Sequence, residues 1–164
     1  MGSGKTTLGR ELAGVMQMDF KDLDEEIEKN EGTTISELFQ SKGEEYFRSK
    51  ESFYMRSLEQ TNNVIIATGG GTPCFYDNMQ WMNDHGLTVY LNLPPEILFQ
   101  RLRPQVDHRP LLKGKTDEEL LQFIRERLKE RSSYYGQSEI IVEGNSLSAS
   151  GLQKQISVHL KKKE

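Results

Sequence analysis

The chain has 164 residues, a formal net charge of −4, and 28% charged against 35% hydrophobic residues. That length makes one domain with a real core, and the acidic balance argues against nucleic acid as the main partner, so any anion site must be built from placed groups. The single cysteine, Cys74, excludes an internal disulfide and a cysteine-built metal site; with no membrane-length apolar run and no secretory leader pattern, a cytoplasmic protein is expected. Taken in order, residues 6–17 read as a helix with Leu8, Leu12, Val15 and Met16 on one face. Met18 to Lys21 reads as a short strand. Helices are expected at about 24–30, 34–41 and 43–61, with a capping box at Thr34 and Glu37 and a break at Gly43. Val64 to Ala67 is a wholly apolar strand of the parallel-sheet kind. A helix at about 75–85, a strand Thr88 to Leu93 and a proline-opened helix 95–103 follow. Residues 104–115 read as a loop, Thr116 and Glu119 cap a helix to about 134, Glu139 to Val142 is a strand, and 147–163 the last helix. Strands alternating with helices predict a parallel α/β sheet. The three histidines, His85, His108 and His159, are scattered and read as solvated side chains.

Four groups of residues carry chemistry. Gly2-Ser3-Gly4-Lys5-Thr6-Thr7 is the last part of a Walker A loop leading into a helix. Its glycines let backbone N–H groups reach phosphate oxygens, Lys5 supplies a charge at the β/γ-phosphates, and the Thr6 hydroxyl suits Mg²⁺. Asp22-Leu23-Asp24 follows a short strand. In an extended segment both carboxylates face one side, where one suits Mg²⁺ through water and the other suits proton abstraction. The competing reading makes Asp24 the N-cap of the next helix. Third, Thr68-Gly69-Gly70-Gly71-Thr72 sits at the C-terminal end of an apolar strand, where open α/β sheets bind ligands. Fourth, Arg48, with Glu51 three residues on, Arg109 in the loop and Arg131 near a helix end form a set able to bind a carboxylate bidentately.

The ordered series GSGKTT, DLD, FRSKE, ATGGG, RPLL and ERSSYY is similar to that of the shikimate kinase family over nearly the whole chain. The resemblance implies the P-loop nucleoside-monophosphate-kinase-like fold: a three-layer sandwich on a central parallel sheet, a P-loop at 1–7, substrate-binding helices at about 24–61 and a mobile lid at about 104–115. It implies transfer of the ATP γ-phosphate to the 3-hydroxyl of shikimate, in chorismate and aromatic amino-acid biosynthesis, by a monomer. By position, Gly2 to Thr7 hold ATP with Lys5. Thr6 and Asp22 hold Mg²⁺. Asp24 contacts the shikimate hydroxyls and acts as base. Arg48 and Arg131 grip the carboxylate, and Gly69, Gly70 and Gly71 line the substrate. Arg109 acts from the lid, and Arg101 or Arg103 packs near adenine.

Against the family pattern, the strand before the loop and the loop's first glycine are absent from the sequence, as if Met1 were an internal methionine. In this fold that strand lies mid-sheet, so its two neighbours are expected to lose a ladder partner and the 164-residue chain to be poorly folded and nearly inactive. The alternatives are a gluconate kinase-like enzyme on the same fold and a non-catalytic remnant that only binds.

Overall fold

A computed structural model of the chain describes residues 2–59, 61–108, 112–144 and 148–162. Helix α1, Lys5–Met16, begins directly after Gly4, whose φ of 85° turns the loop into the helix. Strand β1, Asp19–Asp22, runs without a linker into α2, Leu23–Glu31. Helix α3, Ile35–Ser57, opens with the expected capping box at Thr34 and Glu37 and kinks at Gly43, at φ 80° and ψ 174°. Strand β2 is Val64–Ala67, followed by a 3₁₀ turn at Thr72–Cys74, helix α4 at Asn78–His85 and strand β3 at Val89–Asn92. Helix α5, Pro95–Leu102, passes into a 3₁₀ segment, Arg103–His108. Helix α6, Asp117–Tyr135, carries the second capping box, at Thr116 and Glu119. Strand β4, Ile140–Glu143, and helix α7, Ala149–Lys161, complete the order.

Three apolar clusters hold these elements together. Leu8 and Leu12 of α1 meet Ile140 and Val142 of β4 and Leu152 and Ile156 of α7. Leu98 and Leu102 of α5 pack on Leu120 and Ile124 of α6. Leu23 and Ile27 of α2 pack on Leu38, Phe47 and Met55 of α3. Each buried Leu or Ile contributes roughly 1.5–3 kcal/mol relative to exposure.

The sheet differs from a single continuous one. β1 pairs with β2, Asp19 opposite Val64 to Asp22 opposite Ala67, and β3 pairs with β4, Val89 opposite Ile140 to Asn92 opposite Glu143; both pairs are parallel. Among the described residues β2 and β3 have no second strand partner. Val64, Ile65 and Ile66 are accordingly half-buried rather than fully enclosed.

Three local expectations need correction. The helix foreseen at about 75–85 begins only at Asn78, because Tyr76 takes a positive φ of 53° and Asn78 is buried and turned back on Thr72. The N-cap of α2 is Asp22 and not Asp24: its side chain accepts from the Asp24 N–H. The segment about 104–115 is not a loose loop throughout, since Arg103–His108 is 3₁₀ and Leu112 is fully buried in the α5–α6 cluster. Arg109, the expected lid arginine, lies outside the described residues.

Candidate active site

The phosphate loop is shaped by its backbone. Gly2 and Gly4 both take left-handed φ values, 70° and 85°, which any other residue type adopts only under strain. The loop delivers Lys5 to the first turn of α1, so the positive end of the helix and the ammonium share one place. Arg101, on the last turn of α5, donates from Nη1 to the Ser3 carbonyl at 2.9 Å. Arg103 instead pairs with the exposed Asp117 at 2.7 Å, away from the loop. Sequence spacing left these two arginines equivalent; the structure places only Arg101 on the P-loop. Thr7 is exposed on the turn after Lys5.

Strand β1 brings two carboxylates to this loop. Thr6 Oγ1 donates to Asp22 Oδ2 at 2.7 Å, and Asp22 Oδ1 accepts from the Asp24 N–H at 3.0 Å. A hydroxyl beside a carboxylate is a hard-oxygen donor pair of the kind Mg²⁺ takes. Among the described residues no cluster of three His, Cys, Asp or Glu side chains could hold a metal ion. An ion bound here therefore draws its other ligands from water and phosphate, which is how Mg²⁺ is usually held.

Asp24, in the first turn of α2, is the perturbed group of the site. Burial, with the nearby charges of Asp22 and Glu51, pushes its carboxyl up from 3.8 to about 6, and Lys5 opposes the rise. The two aspartates share a region because a helix begins between them; it is not the alternation of an extended strand that aligns them.

A second constellation stands beyond the glycine run that follows β2. Arg48 Nη1 bonds Glu51 Oε2 at 2.8 Å, and Glu51, fully buried, also accepts from Thr72 Oγ1 at 2.5 Å. The guanidinium lies 4.3 Å from the centre of the Phe75 ring. Its Nε and Nη2 edge is taken by the exposed Glu44, at 3.2 and 3.1 Å. Glycine is required between these groups. A Cβ on Gly69 would stand 2.7 Å from Glu51 Oε1 and 3.3 Å from Asp24 Oδ1, and one on Gly71 would stand 2.7 Å from Arg48 Nη1. Gly69 thus separates the carboxylate of Asp24 from the arginine network by the width of a missing side chain.

Arg131 comes to the same region from α6. Burial raises the Cys74 thiol, while the charges of Arg131 and Arg48 both act to lower it, so the two arginines flank one half-buried position. Tyr135, one turn after Arg131, donates its hydroxyl to the Gly70 carbonyl at 2.6 Å and packs at a tilt against Tyr90 of β3 with ring centres 4.7 Å apart. Asn78 fixes the far end of the glycine run, donating to the Thr72 carbonyl at 2.9 Å and accepting from Ser52 at 2.7 Å.

Of the residues expected at the site, Lys5, Thr6, Asp22, Asp24, Arg48, Gly69, Gly70, Gly71 and Arg131 gather around the C-terminal ends of β1 and β2. Tyr135 and Asn78 were not foreseen. Their partners are 65 and 6 residues away in sequence, and the only signal was the YY pair closing α6.

Comparisons with known proteins point to one family. The model of the family described as shikimate kinase matches residues 1–161. A shikimate kinase of Bacteroides thetaiotaomicron is 46% identical, over 90% of this chain and 84% of its own. One from Bacteroides fragilis is 42% identical, over 98% of this chain and 94% of its own. A crystal structure of shikimate kinase from Bacteroides thetaiotaomicron superposes with a TM-score of 0.89 at 41% identity, covering 98% of this chain and 94% of that one. The shikimate kinase from Acinetobacter baumannii in complex with shikimate gives 0.87 at 36% identity, over 99% and 90% of the two chains.

Proposed function

The chain belongs to the shikimate kinase family, and from that premise we propose how its residues divide the transfer of the ATP γ-phosphoryl group to the 3-hydroxyl of shikimate. Its activity is that of a shikimate kinase; the gluconate kinase-like and non-catalytic alternatives lose their ground. Lys5 and the N–H groups of Gly2 to Thr6 hold the β- and γ-phosphates. Thr6 and Asp22 are the residues that would hold Mg²⁺, which when bound neutralises phosphate charge.

Asp24 takes the proton. As the shikimate oxygen bonds to the γ-phosphorus, its O–H proton passes to the Asp24 carboxylate, and the bond from the γ-phosphorus to the β-bridging oxygen breaks to release ADP. A carboxyl at about 6 is mostly ionised at pH 7 yet basic enough for this step. Arg48 and Arg131 bind the shikimate carboxylate. The edge of Arg48 that Glu44 occupies is the bidentate edge a substrate carboxylate would take, so Glu44, which is exposed, yields it. Gly70 and Gly71 present backbone N–H groups. Arg101 stands nearest the nucleotide through its contact with Ser3, and Arg109 is the residue that would act on it from the lid. From the family resemblance, the enzyme is proposed to act as a cytoplasmic monomer. Among the described residues no helix is long and apolar enough to cross a membrane.

The observation that carries this reading is the raised Asp24 carboxyl, placed between a phosphate loop and an arginine network. A coupled ADP-release assay tests it. ADP release should depend on shikimate, saturate with it, and fail with gluconate. Equal rates with and without shikimate would overturn it.

A further inference from the structure

Arg48, Glu51 and Ser52 stand at i, i+3 and i+4 on α3, the spacing that puts three side chains on one face of a helix. Facing them is the turn that carries the chain from the glycine run to α4. A closed ring of hydrogen bonds joins the two. Thr72 Oγ1 donates to Glu51 Oε1 at 2.5 Å, Ser52 Oγ donates to Asn78 Oδ1 at 2.7 Å, and Asn78 Nδ2 donates back to the Thr72 carbonyl at 2.9 Å. The Thr72 N–H donates to the Gly69 carbonyl at 3.2 Å. Thr72, Glu51 and Asn78 are all fully buried.

Thr72 is thus tied by its N–H to the glycine run, by its carbonyl to Asn78 and by its hydroxyl to Glu51. The hydroxyl is the group that bears on the arginine. Glu51 Oε2 holds Arg48 Nη1 at 2.8 Å. A carboxylate pinned at one oxygen still turns about that point. The bond from Thr72 to Oε1 pins the other oxygen, which fixes the plane of the carboxylate and with it the direction of the guanidinium fork. The two groups meet directly under the glycine run: a Cβ on Gly69 would stand 2.7 Å from Glu51 Oε1 and 3.1 Å from Thr72 Oγ1.

We propose that Thr72 is a positioning residue for substrate recognition. Through Glu51 it aims Arg48 at the shikimate carboxylate, and through its N–H it holds the glycine run against the same point. The hydroxyl carries the role, and the volume does not. Valine has nearly the same shape, but it would set a methyl group against Glu51 Oε1 and leave a buried, charged acceptor unmet. Asn78 and Ser52 support Thr72 from behind, by fixing its carbonyl to α3. The proposal rests on the assignment of Arg48 to the shikimate carboxylate.

The test is steady-state kinetics of the whole chain, with shikimate and ATP varied separately and Tm recorded for each variant. Thr72→Val should raise the KM for shikimate about tenfold, the scale of one lost hydrogen bond to a charged group, and leave the KM for ATP within about twofold. Its kcat should fall by less than its KM rises. Thr72→Ser restores the hydroxyl and should bring the KM for shikimate back to within about threefold of the native value. If Thr72→Val does not unfold cooperatively, Ser52→Ala carries the test; it loosens Asn78 and should raise the KM for shikimate about threefold with the KM for ATP unchanged. A lower Tm in Thr72→Val with a native KM for shikimate would overturn the proposal, since a merely structural residue gives that result. So would matched rises in both KM values, a serine variant no better than the valine one, or, where it carries the test, a native KM in Ser52→Ala. A native chain that does not phosphorylate shikimate at all would remove the kinase reading along with it, so the two failures are told apart by the native control.

Discussion

The carboxyl ends of the strands and the middle of the sheet solve opposite problems with the same residues a few positions apart. At the strand ends the buried polar side chains are hydrogen-bonded. Thr6 bonds Asp22, Glu51 holds both Arg48 and Thr72, and Tyr135 holds Gly70; among the described residues no buried side-chain nitrogen or oxygen lacks a hydrogen bond. In the middle, Val64 to Ile66 and Val89 to Leu91 face an apolar cavity with main-chain groups turned into it. Catalytic preorganisation here depends on side-chain networks that close over short distances. The scaffold beneath depends on the three apolar clusters that hold the helices to one another and to the strands. Perturbing the first should change rate and substrate binding while the fold holds. Perturbing packing should change stability.

The largest effect is expected at Asp24. Asp24→Asn removes the base and should lower kcat by ~10²–10⁴-fold. Folding should survive or improve. A carboxyl at about 6 in the fold, against 3.8 ordinarily, binds its proton more readily folded than unfolded. Stability therefore rises as pH falls from above 6 toward 3.8, and the ionised form opposes folding at pH 7 by at most about 3 kcal/mol. Tm of the variant at pH 7 should be no lower than that of the native chain. For the native chain kcat/KM should fall about tenfold per pH unit below pH ~6. A flat profile between pH 5 and 7 would remove Asp24 from the chemistry.

Packing offers the next contrast. Leu38 is fully buried between α2 and α3, whereas Leu12, also buried, borders the cavity. Leu38→Ala should cost about 3–5 kcal/mol and Leu12→Ala closer to 2, because atoms beside an existing void have fewer contacts to lose. Urea titration of both decides it, and equal losses would mean that the middle of the sheet is packed as tightly as its flank.

Arg48→Lys should raise the KM for shikimate by roughly 30-fold or more, from about 2–5 kcal/mol for a desolvated charge pair, with little change in the KM for ATP. Parallel steady-state titrations of the two substrates check this; matched increases would assign Arg48 to the nucleotide or the fold.

Tyr135→Phe should have the smallest effect. It removes one hydroxyl bonded to Gly70, worth about 1 kcal/mol, so the KM for shikimate should rise about fivefold. An unchanged KM would leave Tyr135 as packing against Tyr90 alone.

Much of this was legible in the sequence wherever the signal was local. The capping boxes at Thr34 and Thr116, the break at Gly43, the apolar run Val64 to Ala67 and the spacing of Arg48 to Glu51 each report on neighbours within a turn or a strand. The family resemblance supplied the activity. What escaped depends on residues far apart or on a change of backbone state. Asp22 serves as both strand end and N-cap because no linker separates β1 from α2, and spacing alone could not fix the cap to within two residues. Leu112 sits in a stretch that reads as polar loop, yet its side chain is drawn into the α5–α6 core. The bond from Tyr135 to Gly70 spans 65 residues and joins a helix end to a strand end that no periodicity connects.

The central claim is that the loop at Gly2 to Thr6, Asp24 and the arginine pair act on one substrate molecule. Phosphorus NMR of a reaction holding the chain, ATP, Mg²⁺ and shikimate tests it most directly. The account predicts one new phosphate monoester signal, coupled to the proton on carbon 3 of shikimate and growing in step with ADP. Growth of inorganic phosphate alone, or a monoester on another hydroxyl, would contradict it.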